Sequence, residues 1–452
     1  MTIHRYILST FRIATLAIVV AEAVSAILVI PVAAATRTSG GVAGEVVRVT
    51  SLAPDGRGSL RSALAGDTPR LIVFEVGGVI DLGGRTLVVR HPHVTVAGQT
   101  APDPGITLIR GGLVVEAHDV VIQHIAVRPG DNDNQTGWAP DALGVRRGER
   151  AVYDVLFDHC SATWAIDENL STSGPGDVDS SQDPDVTAHD ITIRNCLIAE
   201  GLSKATHPKG EHSKGTLVHD GVRNVTILHS LYAHNHERNP RLKGGTTAVI
   251  AGTLMYNWGS GCVGVGAKGN QKMLQPAEAV LAGNVAIAGP DTRATLFVKG
   301  LDPGARLFLD RNVAVTADGN PMRLTDNRVV TLGALPPWAP SLPAVDPWRA
   351  AARVLRSAGS RPARRDPIDR RIVESVIRGE GTIIDSQRQV GGYPVRPQTT
   401  REVAVPDGAE ARREWLERLS RELSEDASVD VAPLLRRLGI TSSAAPSPGS
   451  RK

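Results

Sequence analysis

One local pattern recurs through the middle of the chain and limits what it can fold into. His93-Val94-Thr95-Val96, Asp119-Val120-Val121-Ile122, Asp154-Val155-Leu156-Phe157, Asp190-Ile191-Thr192-Ile193 and Asn224-Val225-Thr226-Ile227 share one form: a polar or imidazole residue, then a short β-rich run. Weaker copies stand at Ala279-Val280-Leu281 and Leu307-Phe308-Leu309. Their spacing, roughly 25 to 36 residues, marks repeat architecture, and its irregularity suits a solenoid whose strands are fixed while its loops vary. The fold class this predicts is all-β: a right-handed, single-stranded parallel β-helix with a partly helical C-terminal extension. Aromatic residues are only 4% of the chain, so Val, Ile, Leu and Ala must fill the core.

In such a fold, equivalent positions of successive coils lie about 4.8 Å apart. Two residues after each run come His124, His159, Asn195 and His229, followed by Ile125, Cys160, Cys196 and Ser230. His159 and His229 therefore read as rungs of a polar ladder rather than as catalysts, and Cys160 and Cys196 as stacked small residues rather than a redox pair. The three cysteines supply neither a disulfide framework nor zinc-ligand spacing.

The ends of the chain differ from its middle. His4, Arg5 and Arg12 precede an apolar run from Ile13 to about Val32 and then Ala33-Ala34-Ala35, the order of a secretory signal, expected over residues 1–35. Glu22 within the run opposes a permanent membrane anchor. The β-helix is expected over 40–334 and an extended closing segment over 335–400. A helical segment at 401–440 is drawn from the amphipathic spacing near Glu410–Leu423 and Val431–Leu438, and a disordered tail from 441–452. A net charge of +3 implies no nucleic-acid partner, and Arg361, Arg364, Arg365, Arg370 and Arg371 read as a solvated stretch. The product is expected to be secreted, monomeric and without stable membrane association.

Chemistry-bearing residues gather in three places. The densest is His234-Asn235-His236-Glu237-Arg238-Asn239-Pro240-Arg241-Leu242-Lys243, between strands expected at Val225–Tyr232 and Ala248–Tyr256; fixed guanidinium groups there suit carboxylate recognition. His207-Pro208-Lys209-Gly210-Glu211-His212 is the second. Asp141 and the pair Asp167-Glu168 are the third, and carboxylates on neighbouring coils can share a hard cation such as calcium. With Leu170 pointing inward, strand alternation turns Asp167, Asn169 and Ser171 outward and Glu168 inward.

Several motifs taken together resemble the pectate lyase branch of the polysaccharide lyases, in its secreted bacterial form. They are Gly58-Ser59-Leu60-Arg61, Gly77-Gly78-Val79-Ile80-Asp81-Leu82, Ala97-Gly98-Gln99-Thr100-Ala101-Pro102, Asp158-His159-Cys160-Ser161, Arg238-Asn239-Pro240, Tyr256-Asn257-Trp258-Gly259, Ile383-Ile384-Asp385-Ser386 and Gly391-Gly392-Tyr393-Pro394. The resemblance runs from about Val47 to Pro394. It implies calcium-assisted β-elimination of an acidic polysaccharide, with Arg238 as the base. Lys209, Arg241 and Lys243 become substrate-binding groups, Lys243 standing where the family has a second Arg. Asp141 and Asp167 become ligands of Ca2+, with Ser171 where many relatives carry Asp. A glycoside hydrolase on the same fold would need paired acids that are not evident beside Arg238. A non-catalytic carbohydrate-binding β-helix is the other alternative, favoured by Ser171 and Lys243.

Overall fold

The structure, a computed structural model, describes residues 38–147, 151–173, 188–266 and 275–440. The expected signal segment and tail lie outside them. The recurring β runs become one parallel sheet whose strands include Val94–Ala97, Val120–Gln123, Tyr153–Asp158, His189–Arg194, Arg223–Leu228, Thr247–Ala251, Glu278–Ala282 and Ala305–Asp310. Between one such strand and the next, the chain adds a strand to each of two further sheets. The Leu113–Val115, Leu143–Val145, Glu168–Thr172 and Lys214–Val218 strands belong to the second sheet. Ile125–Arg128, Ser161–Thr163, Leu197–Ala199 and Leu231–Ala233 belong to the third. Three parallel sheets wound in this order make a parallel β-helix.

Register explains the repeat. Val120 pairs with Val155, Val155 with Ile191 and Ile191 with Val225, so one column of aliphatic side chains runs along the interior. All four are fully buried. The polar residue that begins each run is explained by the corner it occupies: His93, Asp119, Asp154, Asp190 and Asn224 all have φ between +51° and +58°. Asn, Asp and His tolerate that left-handed conformation better than bulky or β-branched residues.

The next corner obeys the same rule. His124, His159, Asn195 and His229 have φ between +46° and +56°, followed by Gly252 at +57°. Because of this bend, the spans expected as single strands, Val225–Tyr232 and Ala248–Tyr256, each divide in two, at His229 and Gly252. The ladder is packed as read: the His124 and His159 rings stack at 4.9 Å, and Asn195 Nδ2 donates to Asp158 at 3.1 Å.

The segment expected to be extended over 335–400 instead contains two helices, Pro347–Ser357 and Pro367–Arg378. Asp346 and Asp366 cap them ahead of a proline at the first helical position, an N-terminal signal independent of hydrophobic spacing. With Ala432–Arg437 they cover the outer face of the third sheet, seating Val354, Leu355, Ile372, Val376 and Leu434 against Leu197, Leu231, Leu254 and Val285. Ala409–Leu423 places Leu416 on Leu71, Val73 and Ala97 of the first sheet. None of the described helices is long and apolar enough to cross a membrane.

The arginine stretch is solvated only in part: Arg364 and Arg370 are exposed, the others packed. Arg361 and Arg365 are buried, Arg361 donates to Asp103, and Arg371 grips both Glu200 carboxylate oxygens. Arg128, fully buried, donates to Asp366 and Asp369 at 2.7 Å each and ties the β-helix to the second of these helices. Removing one partner of such a buried set leaves the others charged and unpaired. Arg128→Met is expected to cost about 3–5 kcal/mol in urea unfolding and to expose the C-terminal segment to protease.

Acid should loosen the same layer. Burial, chiefly, lowers His124 and His229 to about 3 and His234 to about 4. His124 meets Ser360 O and Ser420 Oγ, and His234 meets Ser375 Oγ, all on the C-terminal segment. The folded values lie below the ordinary 6.5, so the unfolded chain binds protons first as pH falls. The contribution of these histidines to stability is expected to be full above about pH 6.5 and to decline from there toward pH 4. Denaturant midpoints across that range check this, and His229→Asn should flatten the decline.

Candidate active site

Two of the three sheets are covered outside by C-terminal helices, and the outer face of the second sheet carries a different set of side chains. Its outward column runs Gly144, Ser171, Leu217, Arg241, Gly264 and Lys299, paired in that order on successive coils. The chemistry-bearing residues lie where these strands begin, so each side chain is held by the corner leading into a paired strand.

Asp141 and Glu168 are joined across adjacent coils. Asp141 Oδ1 accepts from the Glu168 backbone N–H at 2.9 Å, and its Oδ2 accepts from the Ser171 hydroxyl. Asp167 accepts from His212 Nε2 at 2.6 Å, with His207 Nε2 at 3.6 Å. Carboxylate oxygens of Asp141, Asp167 and Glu168 lie within 4.8 Å of one another. Arg238, from two coils further on, forms a close ion pair with Glu168. Next to this pair, Lys214 Nζ donates to Glu237 at 2.6 Å.

The electrostatics follow from burial and neighbours. Burial and then Asp167, against the Ser171 hydrogen bond, raise the Asp141 carboxyl to about 7. Burial opposes charge on Asp167 too, but His212 and His207 hold it below its ordinary value. Burial and the adjacent Arg241 lower the Arg238 guanidinium to about 10, against Asp167 and Asp141. The group therefore combines crowded anions with a guanidinium more easily deprotonated than usual.

The structure brings Asp141, Asp167 and Arg238 together, with Arg241 alongside. Lys209 is exposed in the loop between Ser203 and Ser213; its backbone N–H donates to His207 Nδ1 at 3.1 Å, and its charge bears on His207. Lys243 points elsewhere: its ammonium is bonded to Asp220, with His219 Nε2 at 3.4 Å. Glu168 corrects the alternation argument, because its carboxylate joins the cluster. Asn169, expected to face outward, is fully buried and donates to Ala199 O and Asn235 Oδ1. Glu168 is the first residue of its strand, so alternation does not yet govern the corner. His207 and His212, both visible in the second sequence cluster, have their role only through Asp167.

The donor set fits a hard cation: three carboxylates on neighbouring coils, all oxygen, with Asp141 raised to about 7 by burial and by Asp167.

A parallel β-helix with an acidic group and a perturbed arginine on one open sheet defines the class of protein. No family model matches the chain. It is 31% identical to a probable pectate lyase C of Aspergillus flavus over 391 residues, covering 82% of this chain and 84% of the relative. A probable pectate lyase C of Aspergillus fumigatus is 35% identical over 282 residues, 62% of this chain. In that case the match spans 59% of the relative's length. A solved pectate lyase from Bacillus sp. N165, in complex with trigalacturonate, aligns with TM-score 0.47 at 14% identity, covering 71% of this chain and 95% of that one. The chain belongs to the pectate lyase family.

The raised Asp141 carboxyl has a direct consequence for stability. Its folded value, about 7, exceeds the ordinary 3.8, so the native state holds a proton that the unfolded chain releases. Without added divalent cation, wild type is expected to lose stability relative to Asp141→Asn as pH rises from about 4 through 7. Urea titrations at pH 5 and pH 8 test this, and a gap that fails to widen at pH 8 counts against the charge crowding.

Proposed function

We propose that this chain is a secreted polysaccharide lyase that cleaves pectate, or a related uronate polymer, by calcium-assisted β-elimination. The observation that carries the reading is the Arg238 guanidinium, lowered to about 10, set against three converging carboxylates on the open sheet. Membership of the pectate lyase family supports this activity, and the leader-like N-terminus supports export.

The reaction removes the proton on the uronate carbon α to its carboxylate, and the bond to the 4-oxygen breaks. Arg238, when neutral, accepts that proton at a guanidine nitrogen. The electron pair left on carbon forms the 4,5 double bond, and the departing oxygen takes a proton from water. Arg241 and Lys209 supply positive charge for uronate carboxylates of the polymer. When bound at Asp141, Asp167 and Glu168, a calcium ion supplies positive charge that favours the carbanion-like transition state. Glu168, the contact partner of Arg238, balances the charge of the guanidinium and holds it in place in the free protein.

Two arrangements qualify the substrate side. Ser171 offers a hydroxyl where a fourth carboxylate would stand, so calcium is expected to bind appreciably only with substrate carboxylates completing its shell. Lys243, held by Asp220, contributes to the framework rather than to the polymer. A non-catalytic carbohydrate-binding protein is the second reading, favoured by that same pair of positions.

Polygalacturonate mixed with protein and calcium is expected to gain ultraviolet absorbance from the conjugated double bond, and chelator should abolish the gain. The rate should climb with pH toward about 10, because only neutral Arg238 accepts a proton. Arg238→Ala should lower the rate about 100-fold or more, and Arg241→Ala should raise KM more than Lys243→Met does. Reducing ends without absorbance would indicate hydrolysis; polymer binding with neither would leave the binding-protein reading.

A further inference from the structure

A second cluster of ligating side chains lies at a different corner of the coil, where the chain enters the first sheet. The residue just before the left-handed position of successive coils is His118, Tyr153 and His189, and these flat rings form a column. His118 stacks on Tyr153 at 4.7 Å and 3°, and Tyr153 on His189 at 5.1 Å and 5°. Stacking of this kind comes with the coil spacing and by itself signals no ligand.

The end of the column departs from it. His93, itself at a left-handed corner with φ +58°, meets His118 edge-on, at 5.3 Å and 88°. Edge-on packing turns its Nδ1 toward Asp119. His118 Nδ1 lies 2.9 Å and His93 Nδ1 3.8 Å from the same oxygen, Asp119 Oδ2. One ligand atom from each residue lies within 4.8 Å of the others. Donors bound tetrahedrally at about 2.0–2.1 Å stand about 3.3 Å apart, and the two observed separations bracket that value. At 3.8 Å His93 is too far for a hydrogen bond, and among the described residues its ring makes none.

We propose that His93, His118 and Asp119 form a binding site for a borderline divalent transition ion such as zinc, separate from the carboxylate group of the second sheet. Two imidazole nitrogens and one carboxylate suit such an ion rather than calcium, which prefers an all-oxygen shell. Three protein donors leave a position for water, and the side-chain exposures of His93 (44%), His118 (28%) and Asp119 (21%) leave the ion a path from solvent. His118 is held by its stack, so little ordering is needed on binding. The ion would tie the coil of His93 to the coil of His118.

The other His-carboxylate group, Asp167 with His207 and His212, adjoins the carboxylate cluster of the second sheet. The Lys209 backbone N–H donates to His207 Nδ1, so the neutral ring carries its proton on Nε2, the nitrogen facing Asp167. His207 lies in that other group, so it serves as a control outside the proposed site.

The test uses the full chain stripped with chelator and titrated calorimetrically with zinc chloride. His93→Ala and His118→Ala are each expected to weaken one zinc site about tenfold or more, while His207→Ala leaves it unchanged. Millimolar calcium should not displace the zinc. Zinc should also raise the thermal midpoint of wild type and not of His93→Ala, a readout independent of polymer cleavage and of the function proposed above. The assignment fails if wild type binds no zinc, or if the His93→Ala/His118→Ala double variant, folded by circular dichroism, binds it with unchanged stoichiometry and affinity.

Discussion

Backbone hydrogen bonding between successive coils is the constraint on which everything else here depends. In a parallel ladder each residue is paired with its equivalent one turn away, about 4.8 Å distant, so like is stacked on like along the whole molecule. For aliphatic residues this is favourable without further arrangement, and the Val120, Val155, Ile191, Val225 column becomes continuous core. For corners it demands the same unusual backbone at the same place in every coil. That demand, rather than a shared chemistry, explains the recurring Asp, Asn and His residues with positive φ.

The same stacking makes a charged site both possible and costly. Asp141 and Glu168 stand at corresponding corners of adjacent coils, and Asp167 is next to Glu168, so carboxylates are forced together that a looser fold would separate. The compensation comes from neighbours in the same register: Arg238 on Glu168, His212 on Asp167, the Ser171 hydroxyl on Asp141. It is incomplete at Asp141, whose carboxyl stays raised. A site left short of positive charge in this way is suited to recruiting a divalent cation, and the crowding that disfavours the free protein then favours binding.

What could be read from the sequence follows from how local each cause is. The strand repeat and the ladder positions depend on one coil and its copies, so His124, His159 and Asn195 were interpretable from spacing alone. Asp141, Asp167 and Arg238 could be grouped only through resemblance, since 26 and 71 residues separate neighbours in that set, by subtraction of 141, 167 and 238. Glu168 was hidden by an alternation rule applied at the first residue of its strand, where the corner still sets the side-chain direction. The partner of Lys243 was hidden because Asp220 belongs to the preceding coil, whose register no local pattern reveals. The helices at Pro347–Ser357 and Pro367–Arg378 carried their own start signal, an Asp-Pro pair each, but their arginines suggested solvent. Only the docked arrangement shows Arg361, between the helices, buried on Asp103, and Arg371 paired with the buried Glu200.

The C-terminal layer also bears on where the site can be. A three-sided solenoid presents three outer faces with equal periodicity, and the coil alone does not favour one of them for ligand. The helices over 347–357, 367–378 and 432–437 occupy the third sheet through an apolar seam, and the helix over 409–423 occupies part of the first. The second sheet has Gly144 and Gly264 at outward positions beside Ser171 and Arg241, where no bulky side chain stands over the charged groups. Anchoring the layer through Arg128 and the two aspartates therefore does more than add stability. It commits the third face and part of the first to packing and leaves the polar face of the second sheet uncovered by those helices.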